Sequence, residues 1–145
     1  MIKKVEVRKF TTYRLVKSED LNHHGTLFAG RSAEWFVESG YIAATNYVSP
    51  ENLICVKIHG MCFSKPVKLG EIICYESKIV YAGNTSLIAY VKVFLRNDAE
   101  KIMVDGFISF VHVNSETKPI AHGVKIEAST EDEVRLMKSA IQLKK

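Results

Sequence analysis

The chain has 145 residues, a formal net charge of +4 and three cysteines, and its composition is that of an ordinary globular protein. The odd cysteine count without C-x-x-C spacing argues against a disulfide framework or a zinc ribbon, and no apolar run approaches the ~20 residues of a membrane span. The positive charge is scattered and accompanies no nucleic-acid-binding module, so it suits a small anionic ligand better than DNA or RNA. These totals predict a single domain in a reducing, cytoplasmic setting, without membrane insertion.

The first half of the chain predicts one strand and one long helix. A β-rich run covers residues 3–16, and a polar loop over residues 17–26 precedes a helix that begins near Gly30. Pro50 follows the helix as a stop signal. The buried face of the helix is expected to consist of apolar and small residues that recur at spacings of three and four: Trp35, Phe36, Ser39, Ile42 and Ala43.

The second half predicts four strands and a terminal helix. The β-rich runs cover residues 53–63, 71–81, 87–95 and 102–113, and the segment "AGNTS" between the second and third carries a hairpin signal. The tail from Ser129 starts with a plausible helix cap and acids in its first turn, and this helix is expected to cover a sheet edge or another subunit. A helix on one face of an antiparallel sheet is an α+β layout.

Residues suited to acyl-transfer chemistry cluster around the start of the long helix. Asn22 lies in the loop, and Glu34 and Glu38 stand one turn apart on the helix. A carboxylate can activate water or attack a carbonyl, while the free N–H groups of a helix N-terminus can stabilise an oxyanion. A glutamate buried against Trp35 and Phe36 would have a raised pKa, which suits a base near neutral pH.

Each of these residues also has a purely structural explanation. Asn22 could close the loop through an Asx-turn, and the two glutamates could form an exposed polar stripe. His23 and His24 resemble a metal site, but neighbours in an extended loop point in opposite directions and no third ligand lies at zinc spacing. No metal site is therefore predicted.

Four segments in this order, "DLNHHGTLFAG", "KIHGMCFSKPVKLGE", "AGNTSLIAYV" and "DGFISFVHVN", give the chain a family resemblance. Over about residues 13–125 it resembles the hotdog-fold acyl-CoA thioesterases, most closely the bacterial acyl-CoA hydrolases and the cytosolic long-chain type. The resemblance implies one helix wrapped by a curved antiparallel sheet and hydrolysis of acyl-CoA to free acid and CoA without a metal or redox cofactor. It also implies a homodimer with the active site between its subunits, which in many members assembles into a trimer of dimers.

The resemblance assigns roles to individual residues. It places the catalytic function on Asn22 together with Glu34 or Glu38. In the closest subgroup an aspartate follows the loop glycine by twelve residues, but here that position is Val37. Glu38 lies about 100° and Glu34 about 60° from position 37 on an ideal helix, so both remain candidates. The expected substrate-binding residues, some lining the opposite subunit's share of the site, are His23, Gly25, Thr26, Gly30, Asn84, Thr85 and Ser86.

Two rival functions stay open at this point. A hydratase or dehydratase of acyl thioesters would share the fold, but its "H-F-P-G" or "D-x-x-x-x-H" pattern does not occur here. A non-catalytic acyl-CoA-binding or regulatory protein is the second rival, and Val37 in place of the aspartate favours it.

Overall fold

A five-stranded antiparallel sheet and a long helix form the centre of the molecule, which a computed structural model describes over residues 2–63 and 65–143. The sheet order is β2-β4-β5-β6-β3, and β1 and β7 form a separate parallel pair. The predicted α+β class is confirmed. The elements are β1 (Lys3–Glu6), β2 (Lys9–Leu15), α1 (Ala29–Ala44), β3 (Leu53–His59), β4 (Ile72–Ala82), β5 (Ser86–Leu95), β6 (Val104–His112), β7 (Val124–Glu127) and α2 (Glu131–Gln142).

Helix α1 packs on the inner face of the sheet. Gly40 allows a close approach, because a Cβ at this position would lie 2.8 Å from Cδ1 of Ile108. Ile42 was expected on the buried face but is 37% exposed, since it lies about 100° around the helix from the buried Ala43. The buried helix residues are Ser32, Trp35, Phe36, Ser39, Gly40, Ala43 and Ala44, and they meet the alternating inward residues of β5: Leu87, Ala89, Val91, Val93 and Leu95.

Helix α2 packs on the outer face of the same sheet. Its Leu136 and Ala140 join Val80 and Ile88 in a second, smaller apolar cluster. The terminal helix therefore covers a face of the sheet and not the predicted edge. Among the described residues, neither helix combines the length and the apolar character that a membrane span requires.

The two ends of the chain differ from the sequence prediction. The expected first strand divides into β1 and β2, and the unpredicted β7 pairs with β1 from Lys3↔Val124 to Glu6↔Glu127. Both strands of this pair have four residues, which is too short for a clear alternating pattern. The five-stranded sheet ends in β2 on one side and β3 on the other, so each of these edge strands has one neighbour within the sheet.

Candidate active site

The loop that leads into α1 is a small closed hairpin. Leu21 and Leu27 form an antiparallel bridge, and the N–H of Phe28 donates to the carbonyl oxygen of Asp20 at 2.9 Å. Gly25 sits at the turn with φ of 78°, a left-handed conformation that glycine adopts without steric cost. A Cβ at Gly25 would meet no atom within 4 Å, so the turn requires glycine for its backbone conformation and not for space.

Asn22 holds this hairpin together through the oxygen of its side chain. Oδ1 accepts hydrogen bonds from the N–H groups of His24 at 2.8 Å and Thr26 at 3.2 Å, and from the Thr26 hydroxyl at 3.4 Å. The Asx-turn explanation is therefore correct for the oxygen atom. An amide carries its donors on nitrogen, and no hydrogen bond joins Nδ2 to the described residues. The part of Asn22 available to a ligand is thus a hydrogen-bond donor.

The two histidines lie at the exposed tip of the hairpin. The ring centroids of His23 and His24 are 3.9 Å apart, so the side chains do not point in opposite directions as predicted. The reason is that the segment turns tightly and is not extended. Within residues 2–63 and 65–143 no group of three or more histidine, cysteine, aspartate or glutamate side chains is arranged to hold a metal ion.

Asp20 fastens the hairpin to the helix, a role that the sequence pattern did not indicate. Its carboxylate is 4% exposed, accepts a hydrogen bond from the Lys17 N–H at 2.9 Å and lies 3.4 Å from Nε of Arg31. Arg31 belongs to the first turn of α1, so this ion pair fixes the loop against the helix. Removing one partner would leave a buried charge without its counter-ion.

Helix α1 begins without a side-chain cap. Its N-cap residue is Phe28, and the first turn contains no acidic residue. The N–H groups of Arg31 and Ser32 reach the Phe28 carbonyl, whereas those of Ala29 and Gly30 have no backbone acceptor in the described part of the chain. These two donors stand at the positive end of the helix dipole and can stabilise a developing oxyanion.

The two candidate glutamates differ in their surroundings. Glu38 forms an ion pair with Arg14 of β2, and the Arg14 guanidinium also lies 5.4 Å above the Trp35 ring. Glu34 is exposed, and neither an ion pair nor a hydrogen bond joins it to the described residues. The expectation of a glutamate buried against Trp35 and Phe36 is wrong for the single chain, because the helix directs both carboxylates outward.

Val37 lies on the same outer stripe of α1 as Glu34, which is about 60° away around the helix. It is half-buried, and Tyr41, one turn later, packs its ring 6.1 Å from that of Phe110 and donates a hydrogen bond to the Pro50 carbonyl at 2.7 Å. Glu38 is turned from this side toward β2. With valine at the position of the family aspartate, Glu34 and Glu38 are the carboxylates that α1 itself can supply.

The remaining predicted residues lie at the far end of the sheet. Asn84, Thr85 and Ser86 form the tip of the β4–β5 hairpin, where the Ser86 carbonyl accepts a hydrogen bond from Nε2 of His122 at 2.9 Å. Ile73, at the other end of β4, lies beside the start of α1, and the ten residues between it and the hairpin span about 33 Å. Within one chain the two predicted parts of the site do not meet.

His59 has a structural role in the edge strand β3. Its Nε2 lies 2.7 Å from the Ser109 hydroxyl, and burial together with the nearby Lys57 lowers the pKa of its imidazole. It lies on a strand at the edge of the sheet, whereas the donors described above surround the start of α1.

A long helix packed on the inner face of a five-stranded antiparallel sheet is the architecture of the hotdog fold. Residues 24–102 match the family model of the thioesterase superfamily, which is more than half of the chain. The chain belongs to this superfamily and is a thioesterase, as predicted.

Named relatives agree with this assignment. The chain is 27% identical over 126 residues to an uncharacterized acyl-CoA thioester hydrolase, YkhA, of Bacillus subtilis, covering 85% of this chain and 72% of the relative. An apo-hexameric acyl-CoA thioesterase superposes with a TM-score of 0.82 at 26% identity, covering 94% of this chain and 88% of the other. The acyl-CoA hydrolase of Staphylococcus aureus, in complex with butyryl coenzyme A and coenzyme A, has the same fold, with a TM-score of 0.80 at 24% identity over 92% of this chain and 82% of that one.

Proposed function

We propose that this thioesterase acts on acyl-CoA and releases the free acid and CoA. The observation that carries the proposal is the uncapped N-terminus of α1, with the N–H groups of Ala29 and Gly30 free of backbone acceptors among the described residues, preceded by a hairpin in which Asn22 presents Nδ2. Three donors without a competing acid suit the oxyanion of a tetrahedral intermediate. The B. subtilis relative, named as an acyl-CoA thioester hydrolase, and the S. aureus neighbour with bound butyryl coenzyme A support the substrate class.

Glu34 is the better-placed carboxylate within a single chain. It follows Gly30 by four residues, so it lies on the same side of α1 and about 6 Å along the helix axis. Glu38 lies about 12 Å from Gly30 along the axis, and Arg14 offsets its charge. Glu38 would serve the same carbonyl more readily if the oxyanion donors came from a second chain.

The reaction needs only the groups named above and water. Glu34 takes a proton from a water molecule as its oxygen adds to the thioester carbonyl carbon. The oxyanion that forms accepts hydrogen bonds from Asn22 and the helix amides. Collapse of the intermediate breaks the C–S bond, and the CoA thiolate leaves and takes up the proton that Glu34 holds.

Substitution of each glutamate by glutamine tests this mechanism. Loss of a general base lowers kcat by about 100- to 10,000-fold, so Glu34→Gln is expected to fall in this range across a panel of acyl-CoAs. Glu38→Gln keeps the size of the side chain while removing the charge that Arg14 binds, and it is expected to lower kcat less. Full activity in both variants would exclude the proposed base, and release of no CoA by the wild type would exclude the function.

We infer that two copies of the chain pair through the edge strand β3. This strand exposes Val56 and Ile58, 56% and 40% of whose surfaces are accessible, beside unpaired backbone groups. A partner would bring its own Asn84–Ser86 hairpin toward the site, and three such dimers would form a hexamer like that of the apo-hexameric neighbour. Light scattering of the wild type and Ile58→Lys tests the pairing, since a lysine in the contact should shift the protein toward monomers.

The same reasoning predicts a reaction without a metal or redox cofactor, carried out in the cytoplasm by residues 1–145 as one domain. Carboxylate-assisted attack by water supplies both the nucleophile and the proton transfer. The three cysteines are free thiols, which suits a reducing compartment. Turnover that is unchanged after dialysis against a chelator is the expected result, and loss of activity restored by a divalent metal would contradict it.

A further inference from the structure

A cavity of ≈ 230 Å³ lies between the first turn of α1 and the sheet, within a single chain. Its mouth and its floor differ in exposure. The residues at the mouth are exposed: Ala29, Phe63, Lys65 and Pro66. The deep residues are buried: Ser32, Val67, Ile73, Val93 and Val104. Leu27 and Met103, both half-buried, complete the wall.

The mouth of the cavity adjoins the oxyanion donors. Ala29 contributes to the cavity wall and is also the first residue of α1, with a free N–H. A carbonyl oxygen bound by the amides of Ala29 and Gly30 would therefore place the carbon chain attached to that carbonyl next to the opening. Lys65 is the charged residue of the lining, and it lies at the mouth, where an anionic portion of a ligand would remain in solvent.

The floor suits a hydrocarbon. The one polar side chain among the deep residues is Ser32, and its hydroxyl is already paired with the Tyr75 hydroxyl at 3.2 Å. Burial raises the pKa of Tyr75 to about 12, so this pair stays neutral at physiological pH. An apolar occupant would thus leave no newly unpaired polar group, whereas a charged one would have no counter-ion at the floor.

We propose that this cavity receives the acyl group and limits it to about eight carbons, an inference that rests on the proposed function. The limit follows from the cavity volume of ≈ 230 Å³. A methylene group is about the size of a water molecule and takes up roughly 30 Å³. Val93 and Val104 are buried in the wall of the cavity and act as specificity-determining residues.

Equilibrium binding of non-hydrolysable thioether analogues of saturated straight-chain acyl-CoAs, from acetyl to dodecanoyl, tests the cavity independently of turnover. With the wild type, each added methylene should tighten binding about three- to fourfold up to about eight carbons, and longer chains should bring no further gain. Val93→Ala should move this limit up by about two carbons, and Val104→Phe should move it down by at least as much. Val91→Ala is the matched control, because Val91 is equally buried on the same strand but does not line the cavity.

The two variants must move the limit in opposite directions, which a general loss of stability cannot do. Thermal unfolding confirms that each variant is folded, and Val93→Ala decides the question alone if Val104→Phe does not fold. A limit that stays the same in wild type, Val93→Ala and Val91→Ala would overturn the cavity assignment while leaving hydrolysis intact. Absence of CoA release with a length limit that still follows Val93 would overturn the hydrolytic function and retain the cavity.

Discussion

The helices α1 and α2 begin in opposite ways. At the start of α2, Thr130 accepts a hydrogen bond from the Glu133 N–H at 3.1 Å, and the first turn holds three acids. At the start of α1, Phe28 offers no side-chain cap, and the first turn holds none. Both helices leave the same backbone donors free, so the difference lies in what the sequence supplies to satisfy them.

This contrast separates stability from function. Capping typically stabilises a helix by about 1 kcal/mol, and acids at the N-terminus add to this through the dipole. Helix α2 takes this stabilisation on the outer face of the sheet. Helix α1 lacks this stabilisation. Its start adjoins the apolar cavity and follows the hairpin that carries Asn22. The unsatisfied N-terminus is the one that can bind an oxyanion.

Among the substitutions that test this contrast between the helices, the largest effect is expected at the loop donor Asn22. Asn22→Asp keeps the oxygen that closes the hairpin but replaces the NH₂ donor with an oxygen. Loss of one oxyanion donor lowers kcat by about 100- to 1,000-fold. The kcat of Asn22→Asp is expected to fall by at least this much. Steady-state hydrolysis of acyl-CoA measures the effect.

Asn22→Ala is the comparison that identifies the cause, because it loses both the donor and the three hydrogen bonds to Oδ1. If Asn22→Asp retained wild-type turnover while Asn22→Ala lost it, the residue would serve the loop alone. Equal losses with an unchanged unfolding temperature in Asn22→Asp would assign the loss to the donor.

A smaller effect is expected when α1 is given the kind of cap that α2 has. In Phe28→Asp the new carboxylate would accept hydrogen bonds from the free N–H groups and stabilise the helix by about 1 kcal/mol. Its negative charge would also repel an oxyanion. Turnover should fall about tenfold, which corresponds to a loss of about 1.4 kcal/mol in transition-state stabilisation. Phe28→Asn supplies a neutral cap, so it should gain stability with less loss of rate. A rise in both stability and turnover would show that these donors take no part in catalysis.

Much of the fold could be predicted because its signals are local. The alternation in β5 and the three-four spacing around Trp35 correctly placed the main sheet and α1, and the capping signal in the tail from Ser129 correctly indicated α2. The β1–β7 pair was missed because four-residue strands carry little periodicity and their partners are more than a hundred residues apart. Pairing over such separation depends on the tertiary structure and not on local preference.

The sequence indicated where the candidate site lies along the chain, but not which contacts its residues make. Asn22 and Gly25 were recognised from a short motif, but the division of Asn22 between its oxygen and its nitrogen depends on the folded hairpin. The pairing of Glu38 with Arg14 joins residues 24 apart in the chain, and no spacing rule indicates it. The cavity combines five separate segments, so a linear pattern could not reveal it.

At α2 the expected effect is on stability alone. Thr130→Ala removes the cap and should cost about 1 kcal/mol, which lowers the unfolding temperature by about 3 °C for a chain of this size. Thr130→Ser retains the hydroxyl and should stay close to the wild type. Because α2 packs on the outer face of the sheet, kcat and KM should be unchanged in both variants. A change in turnover with Thr130→Ala would connect α2 to the site and weaken the contrast between the helices.

The smallest expected effect is the pH dependence of the same cap. Hydrogen bonding from the Ser129 N–H lowers the pKa of Glu133 below its ordinary value of 4.5. A carboxylate with a lowered folded pKa contributes stability that is present above the unfolded pKa and is lost as pH falls through the folded pKa. Wild type should therefore be more stable than Glu133→Gln at about pH 6, and the two unfolding temperatures should converge toward about pH 3. A constant difference across this range would mean that the ionised form of Glu133 contributes nothing to the cap, and that packing of its side chain accounts for the effect.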